Sequence, residues 1–465
     1  MGAAFWDLER LARTAGGEVI RSTKRSVFGA AIDTRSLRSG QLFFAFRGAQ
    51  TDGHGFVEKA AERGAAAAFV TDLSLLGALP EGFGVVRVDD AELALVTLAK
   101  AYRDELRDVC VVGVAGSAGK TTTKELIGSV LSETLTGSHS HKSFNNRLGV
   151  SLTMLNARPD DDYLVCEIGT SSMGETAELA AIVRPDTGVL VSLGREHLEG
   201  LGGLDGIADE AAGLLEGVPA DGTLVVIGDE PRLLDRTSGF ADRITFGTDP
   251  MCDVSIREVV ADWDGTRFDV DDAAFCIALL GVHNASNAGA AIAVGRAFGL
   301  SDEAIRAGLA RAAPAPMRLE PQTVAGIRVI NDAYNAHPES MAAAIRLFAS
   351  LPTPDNNGER VLVLGDMLEL ASEGPALHEE AARLIVQSDA ADRVLLVGKL
   401  AGGMKPVLDA ADVEAQAFEA TDEGTREAAM TLAPGDVVLL KASRGVRLER
   451  VVESLENSAG TLTER

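Results

Sequence analysis

Residues 110–127 read CVVGVAGSAGKTTTKELI, an apolar run that ends in glycines and passes into a segment where Leu126, Ile127, Val130 and Leu131 recur at helical spacing. A strand, a glycine turn and a helix in that order suit phosphate. Glycines let backbone N–H groups approach anionic oxygens, and the helix N-terminus adds partial positive charge. Gly116 and Gly119 shape the turn, Lys120 brings a full charge, and Thr121 offers a hydroxyl to a magnesium ion bridging outer phosphates, with Thr122 next to it. Five residues separate Gly113 from Gly119, so the match is to GxxGKTT and not to the commoner four-residue spacing. The segment predicts ATP binding.

Working outward, DYLVCEIG, TGVLVSLG and GTLVVIGD read as further strands, interleaved with helical stretches such as GETAELAAIV. That alternation predicts an α/β fold whose largely parallel sheet is covered by helices, with ligands at the carboxyl ends of the strands. Glu167 and His197 fall at such ends, and oxygen with imidazole suits a hard cation. Asn145 and Asn146, in HKSFNNRLGV, read equally as turn residues or as site residues. Asn284 and Asn287 head an alanine-rich helix, where they would cap the backbone or meet a base edge. Arg318, Asp332, Tyr334 and Asn335 cluster around the strand IRVINDAY, where the planar fork of Arg318 suits phosphate and the pattern fits a surface role equally.

Before the glycine turn, QLFFAFRG and AAAAFVTD read as strands flanking the helix FVEKAAERG. After the proline-interrupted APAPMRLEPQ, alternation resumes through RVLVLGDM, RVLLVGK and DVVLLKAS. Three units are expected: residues 1–105, 106–316 and 317–465. The length of 465 residues fits that number.

With 43 Lys and Arg against 69 Asp and Glu, the net charge is −26, which excludes a nonspecific grip on nucleic acid and requires cations to be placed locally for any anionic substrate. A composition 46% hydrophobic and 24% charged is that of a folded chain; only the tail from Glu456 is expected to be weakly ordered. No run of about 20 apolar residues occurs, and the expected compartment is the cytoplasm. Cys110, Cys166, Cys252 and Cys276 are scattered and are expected to be buried apolar residues rather than a disulfide or zinc set.

Together GSAGKTTTKELI, SFNNRLGVSLTML, LVCEIGTSSMGE, HLEG, GVHNASNA and NDAYNAHPESM resemble the ATP-dependent Mur ligases of peptidoglycan precursor synthesis, across almost the whole chain. The segments IDTRSLRSGQLFFAFRG, TDGHGF, VLGDMLELASE and KASRGVRLE look most like the branch acting on UDP-N-acetylmuramoyl tripeptide and D-alanyl-D-alanine. A folylpolyglutamate- or cyanophycin-type ligase and a weakened nucleotide-binding paralogue are the alternatives. The resemblance implies a three-domain architecture: a UDP-substrate domain, a central P-loop ATPase domain and a C-terminal Rossmann-like domain, with ATP and Mg2+ as cofactors in a monomer.

It also implies roles. Lys120 and Thr121 would hold ATP phosphates and the first magnesium, Glu167 and His197 the second metal region, Asn284 and Asn287 the adenine side, and Arg318 with Asp332 the γ-phosphate and ribose. Lys120, Glu167, His197 and Arg318 would be catalytic. Asp33, Arg35, Asp52 and His54 look like the uridine end, with Asn145, Asn146, Tyr334 and Asn335 facing substrate. Lys441, Ser443 and Arg444 would line the dipeptide pocket. Ala211 stands where most members carry a carbamylated lysine, and no lysine occurs between Lys142 and Lys399. Asp209 and Glu210 point about 200° and 100° away from it on a helix. Ala118, Ser171 and His337 stand where asparagine is commoner.

Overall fold

A computed structural model describes residues 6–48, 51–195, 201–352 and 358–463, and within them three sheets follow one another along the chain. The central sheet has nine strands, with Cys110–Ala115 between Thr187–Leu190 and Tyr163–Glu167, all parallel. Val111, Val112, Val114 and Ala115 are wholly buried because helices cover both faces, which is why this strand reads as a continuous apolar run. The parallel register brings the carboxyl ends of the three strands to one rim. The phosphate-loop helix Lys120–Leu131 starts from that rim.

At one edge the sheet extends through Val254–Asp262 into two antiparallel strands, Gly265–Val270 and Ala273–Ile277, absent from the sequence reading. Their signal is the Asp264-Gly265 turn between alternating apolar residues.

The first sheet runs Glu18–Arg21, Gly84–Arg87, Ala67–Val70, Leu42–Phe44, Ala30–Ala31. One of its faces shares a continuous core with the central sheet, in which Phe44, Tyr102 and Val111 belong to the same cluster. Asn156 fastens the two: its Oδ1 accepts from Gln41 Nε2 at 2.7 Å and its Nδ2 donates to Ala30 O at 2.9 Å.

The third sheet begins as the antiparallel pair Glu320–Val324 and Ile327–Asp332, then continues in parallel through Val437–Lys441, Arg360–Gly365, Arg393–Val397 and Glu414–Phe418. Alternate side chains fill two cores, one around Ile330, Leu362 and Leu439, the other around Val329, Val361 and Val438. The register sets Asp332 directly beside Lys441.

One expectation fails. Of the cysteines only Cys166 is buried; Cys276 is exposed, on the outward-facing side of an edge hairpin. The last helix, Arg450–Thr463, packs Val451, Val452 and Leu455 against the third sheet. Among the described residues no helix is long and apolar enough to cross a membrane.

The helix Asp302–Arg311 crosses the phosphate-loop helix so closely that a Cβ on Gly308 would lie 2.5 Å from Val130 Cα. Gly308→Ala is therefore expected to destabilise the protein by about 1–3 kcal/mol through overpacking, against alanine's better helix propensity. The denaturant midpoint measures it.

Candidate active site

The glycine turn owes its shape to Gly116 and Gly119, at φ 131° and 82°. A side chain at 116 would press within 2.9 Å of Ser192 O, and one at 119 would collide with Asn287 Oδ1. Ser192 cinches the turn, its Oγ accepting from Ala118 N and donating to Ala118 O, each at 2.8 Å. Lys120 Nζ donates to Gly116 O at 2.6 Å and Ser117 O at 2.5 Å. Thr121 and Thr122 open the helix beyond it.

The two asparagines at the head of His283–Ala297 do not cap it, since its N-cap is Val282, without a side-chain bond. Asn284 Nδ2 donates to Leu280 O at 2.7 Å, Asn287 Nδ2 to Asn284 Oδ1 at 2.8 Å, and Thr123 Oγ1 to Asn287 Oδ1 at 3.2 Å. They brace the phosphate loop from behind.

Glu167 ends its strand only 1% exposed. Its Oε1 accepts from Asn145 Nδ2 at 2.9 Å, and its buried Oε2 has no hydrogen-bond partner. Lys124, wholly buried one turn below Thr121, lies 3.9 Å from that oxygen. Its Nζ donates to Ser140 O at 2.8 Å and Lys142 O at 2.5 Å, and pairs with Glu125 at 2.9 Å. The loop carrying Asn145 is thus tied to the phosphate-loop helix. Asn146 caps the next helix, its Oδ1 accepting from Gly149 N at 2.9 Å. Sequence reading passed over Lys124, although its spacing of three and seven from Ile127 and Leu131 puts a cation on the inner face.

From the third sheet, Arg318 Nη2 donates to Thr121 Oγ1 at 3.1 Å, and its guanidinium carbon lies 4.2 Å from the Tyr334 ring centre. Lys441 Nζ, beside Asp332 by register, bonds Asp332 Oδ2 at 2.6 Å and Asn335 O at 3.0 Å. A second bridge joins Arg195, after a central strand, to Glu339: Nε to Oε1 at 2.6 Å and backbone N to Oε2 at 2.9 Å. Burial pushes the Glu339 carboxyl up, but hydrogen bonds from His337 and Arg195 outweigh it and hold the group down at about 2, against the ordinary 4.5. The stability this gives is complete above pH 4.5 and is lost as pH falls toward 2.

Gly119, Lys120, Thr121, Glu167, Asn284 and Asp332, with others, line one cavity of about 520 Å3. A smaller cavity of about 110 Å3 opens beside Ser443, Arg444 and Asn335. Ser443 Oγ is engaged by Leu368 N and Ala336 O, at 2.9 and 3.1 Å, and Arg444 pairs with Glu449 at 2.5 Å.

The four N-terminal residues sit apart from both cavities. Asp33 holds Arg35, with Nη2 to Oδ2 at 2.7 Å, at the surface. His54 is buried, its Nδ1 donating to Asp52 at 2.6 Å and its Nε2 accepting from Thr71 N at 3.0 Å, so both ring nitrogens are engaged within the protein. His197 and its HLEG segment lie outside the described residues. Ala211 is packed in the core, 5% exposed. Glu210 turns instead to the helix Glu175–Val183, accepting from Gly174 N at 2.5 Å and Thr176 N at 2.6 Å, and Asp209 pairs with Arg236 at 2.7 Å.

For magnesium the donor set fits. Thr121 Oγ1 and the unpartnered Glu167 Oε2 are hard oxygens on one cavity wall, and this ion is commonly held by one or two protein oxygens with phosphates and water. No three-residue His, Cys, Asp or Glu cluster for a metal occurs among the described residues.

Lys124→Met keeps the bulk and removes the charge, leaving two carbonyls and Glu167 without their cation. It is expected to cost about 3–5 kcal/mol of unfolding free energy, read from chemical denaturation.

Known families match throughout: "Mur ligase family, catalytic domain" over residues 27–103, "Mur ligase middle domain" over 114–295 and "Mur ligase, glutamate ligase domain" over 317–444. A UDP-N-acetylmuramoyl-tripeptide–D-alanyl-D-alanine ligase of Bacillus subtilis is 39% identical over 93% of this chain and 94% of its own. The ligase of the same name from Escherichia coli is 32% identical over 92% and 93%. A crystal structure of MurF from Acinetobacter baumannii superposes with a TM-score of 0.82 at 27% identity, covering 97% of this chain and 99% of that one. The MurF ligase of Thermotoga maritima in complex with ADP gives 0.75 at 25%, covering 94% and 99%.

Proposed function

The chain belongs to the Mur ligase family, and we propose that it joins D-alanyl-D-alanine to UDP-N-acetylmuramoyl tripeptide in peptidoglycan precursor synthesis, converting ATP to ADP and phosphate. The ADP-bound relative supports the nucleotide. A carboxylate resists amine attack because oxide is its leaving group. Transfer of the γ-phosphoryl group removes that obstacle: a carboxylate oxygen bonds phosphorus, the bridge to ADP breaks, and an acyl phosphate results. The amine nitrogen then bonds the carbonyl carbon and phosphate departs.

The observation that carries this reading is that Lys120, Thr121 and Glu167 of the central unit line one cavity together with Arg318 and Asp332 of the C-terminal unit. Lys120 and the backbone of the turn take the phosphates, and Arg318, held against Tyr334, offsets the charge that develops as the γ-phosphoryl group moves. Magnesium, when bound, would neutralise the outer phosphates, held by Thr121 and Glu167. Asn284 and Asn287 set the turn's position rather than capping the helix, and Asp332 with Lys441 forms the ribose side. Ser443 and Arg444 border the smaller cavity, which suits a dipeptide. Soluble nucleotide substrates support a cytoplasmic site, and the enzyme is proposed to act as a monomer.

With purified enzyme, phosphate release is expected only when UDP-N-acetylmuramoyl tripeptide, D-alanyl-D-alanine and ATP are all present. Lys120→Met should lower the rate by at least about 10²-fold, with the fold kept by circular dichroism. Release with a folate, or with neither acceptor nor amine, would contradict the assignment.

A further inference from the structure

His337 stands where the two cavities meet: it lines the large one with Lys120 and Asp332, and the small one with Ser443, Arg444 and Glu369. It is 6% exposed, and its main chain is pinned by Ser340, whose Oγ accepts from His337 N at 3.1 Å and donates to His337 O at 3.0 Å. Its Nδ1 is 3.2 Å from Glu339 Oε2. An ionised carboxylate only accepts, so Nδ1 carries the hydrogen and Nε2 is the basic nitrogen. Glu339 is itself fixed by Arg195 of the central unit, at 2.6 Å and 2.9 Å. Base, orienting carboxylate and a third group holding the carboxylate form one chain across the interdomain cleft.

On the ligation reading above, we propose that His337 is the general base of the amide-forming step, accepting at Nε2 the proton of the attacking amine. As the amine nitrogen bonds the acyl carbon, it becomes positively charged. Its proton passes to Nε2, the carbon–oxygen bond to phosphate breaks with the electron pair leaving on phosphate, and the imidazolium returns the proton to that phosphate. No other reactant is needed. Glu339 steadies the imidazolium. Because Arg195 belongs to the central unit, the base is oriented only when the two units are together, which couples proton removal to a closed, water-poor cleft.

The charged groups around the ring are Glu339 on its own helix; Arg195 from the central unit, with Glu380 3.6 Å from that arginine; Glu369 and Arg444 lining the small cavity; and Lys120, Glu167, Glu175, Arg318, Asp332 and Lys441 lining the large one. The low-lying Glu339 carboxyl is ionised at neutral pH.

His337→Asn keeps a polar group of similar reach that takes up no proton. In rapid-quench experiments with all three substrates, the first-turnover formation of ADP is expected to persist, while amide product forms about 10²-fold more slowly. Glu339→Gln, the second variant, should slow amide formation less. Amide formation unchanged in His337→Asn would overturn the proposal, as would equal loss of ADP and amide, which would mark a role in nucleotide binding. Absence of any amide from the wild-type enzyme would instead overturn the ligation reading on which it rests.

Discussion

Like charge has to be driven against like charge here, a carboxylate against a polyphosphate, in a chain whose own net charge is −26. At close range in a medium of low dielectric that repulsion is the dominant barrier to assembly of the reacting groups. The fold meets it by concentrating cations that its sequence scatters. Lys120 comes from the central sheet, Arg318 and Lys441 from the third, and the contact of Arg318 with Thr121 at 3.1 Å brings the two sets within one cavity. Each cation is also held at a fixed place, by loop carbonyls, by the Tyr334 face or by Asp332, so little reorganisation remains when charge moves.

The same constraint explains why so much of the molecule beneath the cavity is polar and buried. Lys124 is an internal cation with no solvent contact, placed where it binds two loop carbonyls and stands near Glu167. Breaking such a group's pairing is costly, whereas keeping it fixes the loop carrying Asn145 against the phosphate-loop helix. Glu210 does comparable work in another helix, holding the start of Glu175–Val183 through two backbone N–H groups. Ala211, next to it in the chain, is packed in the core and does not line the cavity.

What could be read in the sequence was what is local. The glycine turn, its strand and its helix are contiguous, so residues 110–131 announce their structure and their chemistry together. The strands RVLVLGDM and DVVLLKAS were legible as apolar runs, but the register that sets Lys441 beside Asp332 joins residues more than a hundred apart and leaves no trace in either segment. Arg195 with Glu339 is another such pair. Asn284 and Asn287 were open between capping and recognition because the pattern fits both, and only the packing of Gly119 against Asn287 shows a bracing role. The exposed Cys276 and the hairpin that carries it were missed because that stretch adjoins an alanine-rich helix whose signal is stronger.

Whether these cations let a carboxylate reach the γ-phosphoryl group can be asked before any amine is present. ATP labelled with 18O in the bridge between its β and γ phosphorus atoms reports on reversible cleavage by scrambling the label into non-bridging positions. Incubated with enzyme and UDP-N-acetylmuramoyl tripeptide but no dipeptide, the label is expected to scramble, and to stay in place when the tripeptide is omitted. Retention of the label in the bridge with the tripeptide present, in enzyme that nevertheless makes amide, would contradict an acyl phosphate formed in this cleft.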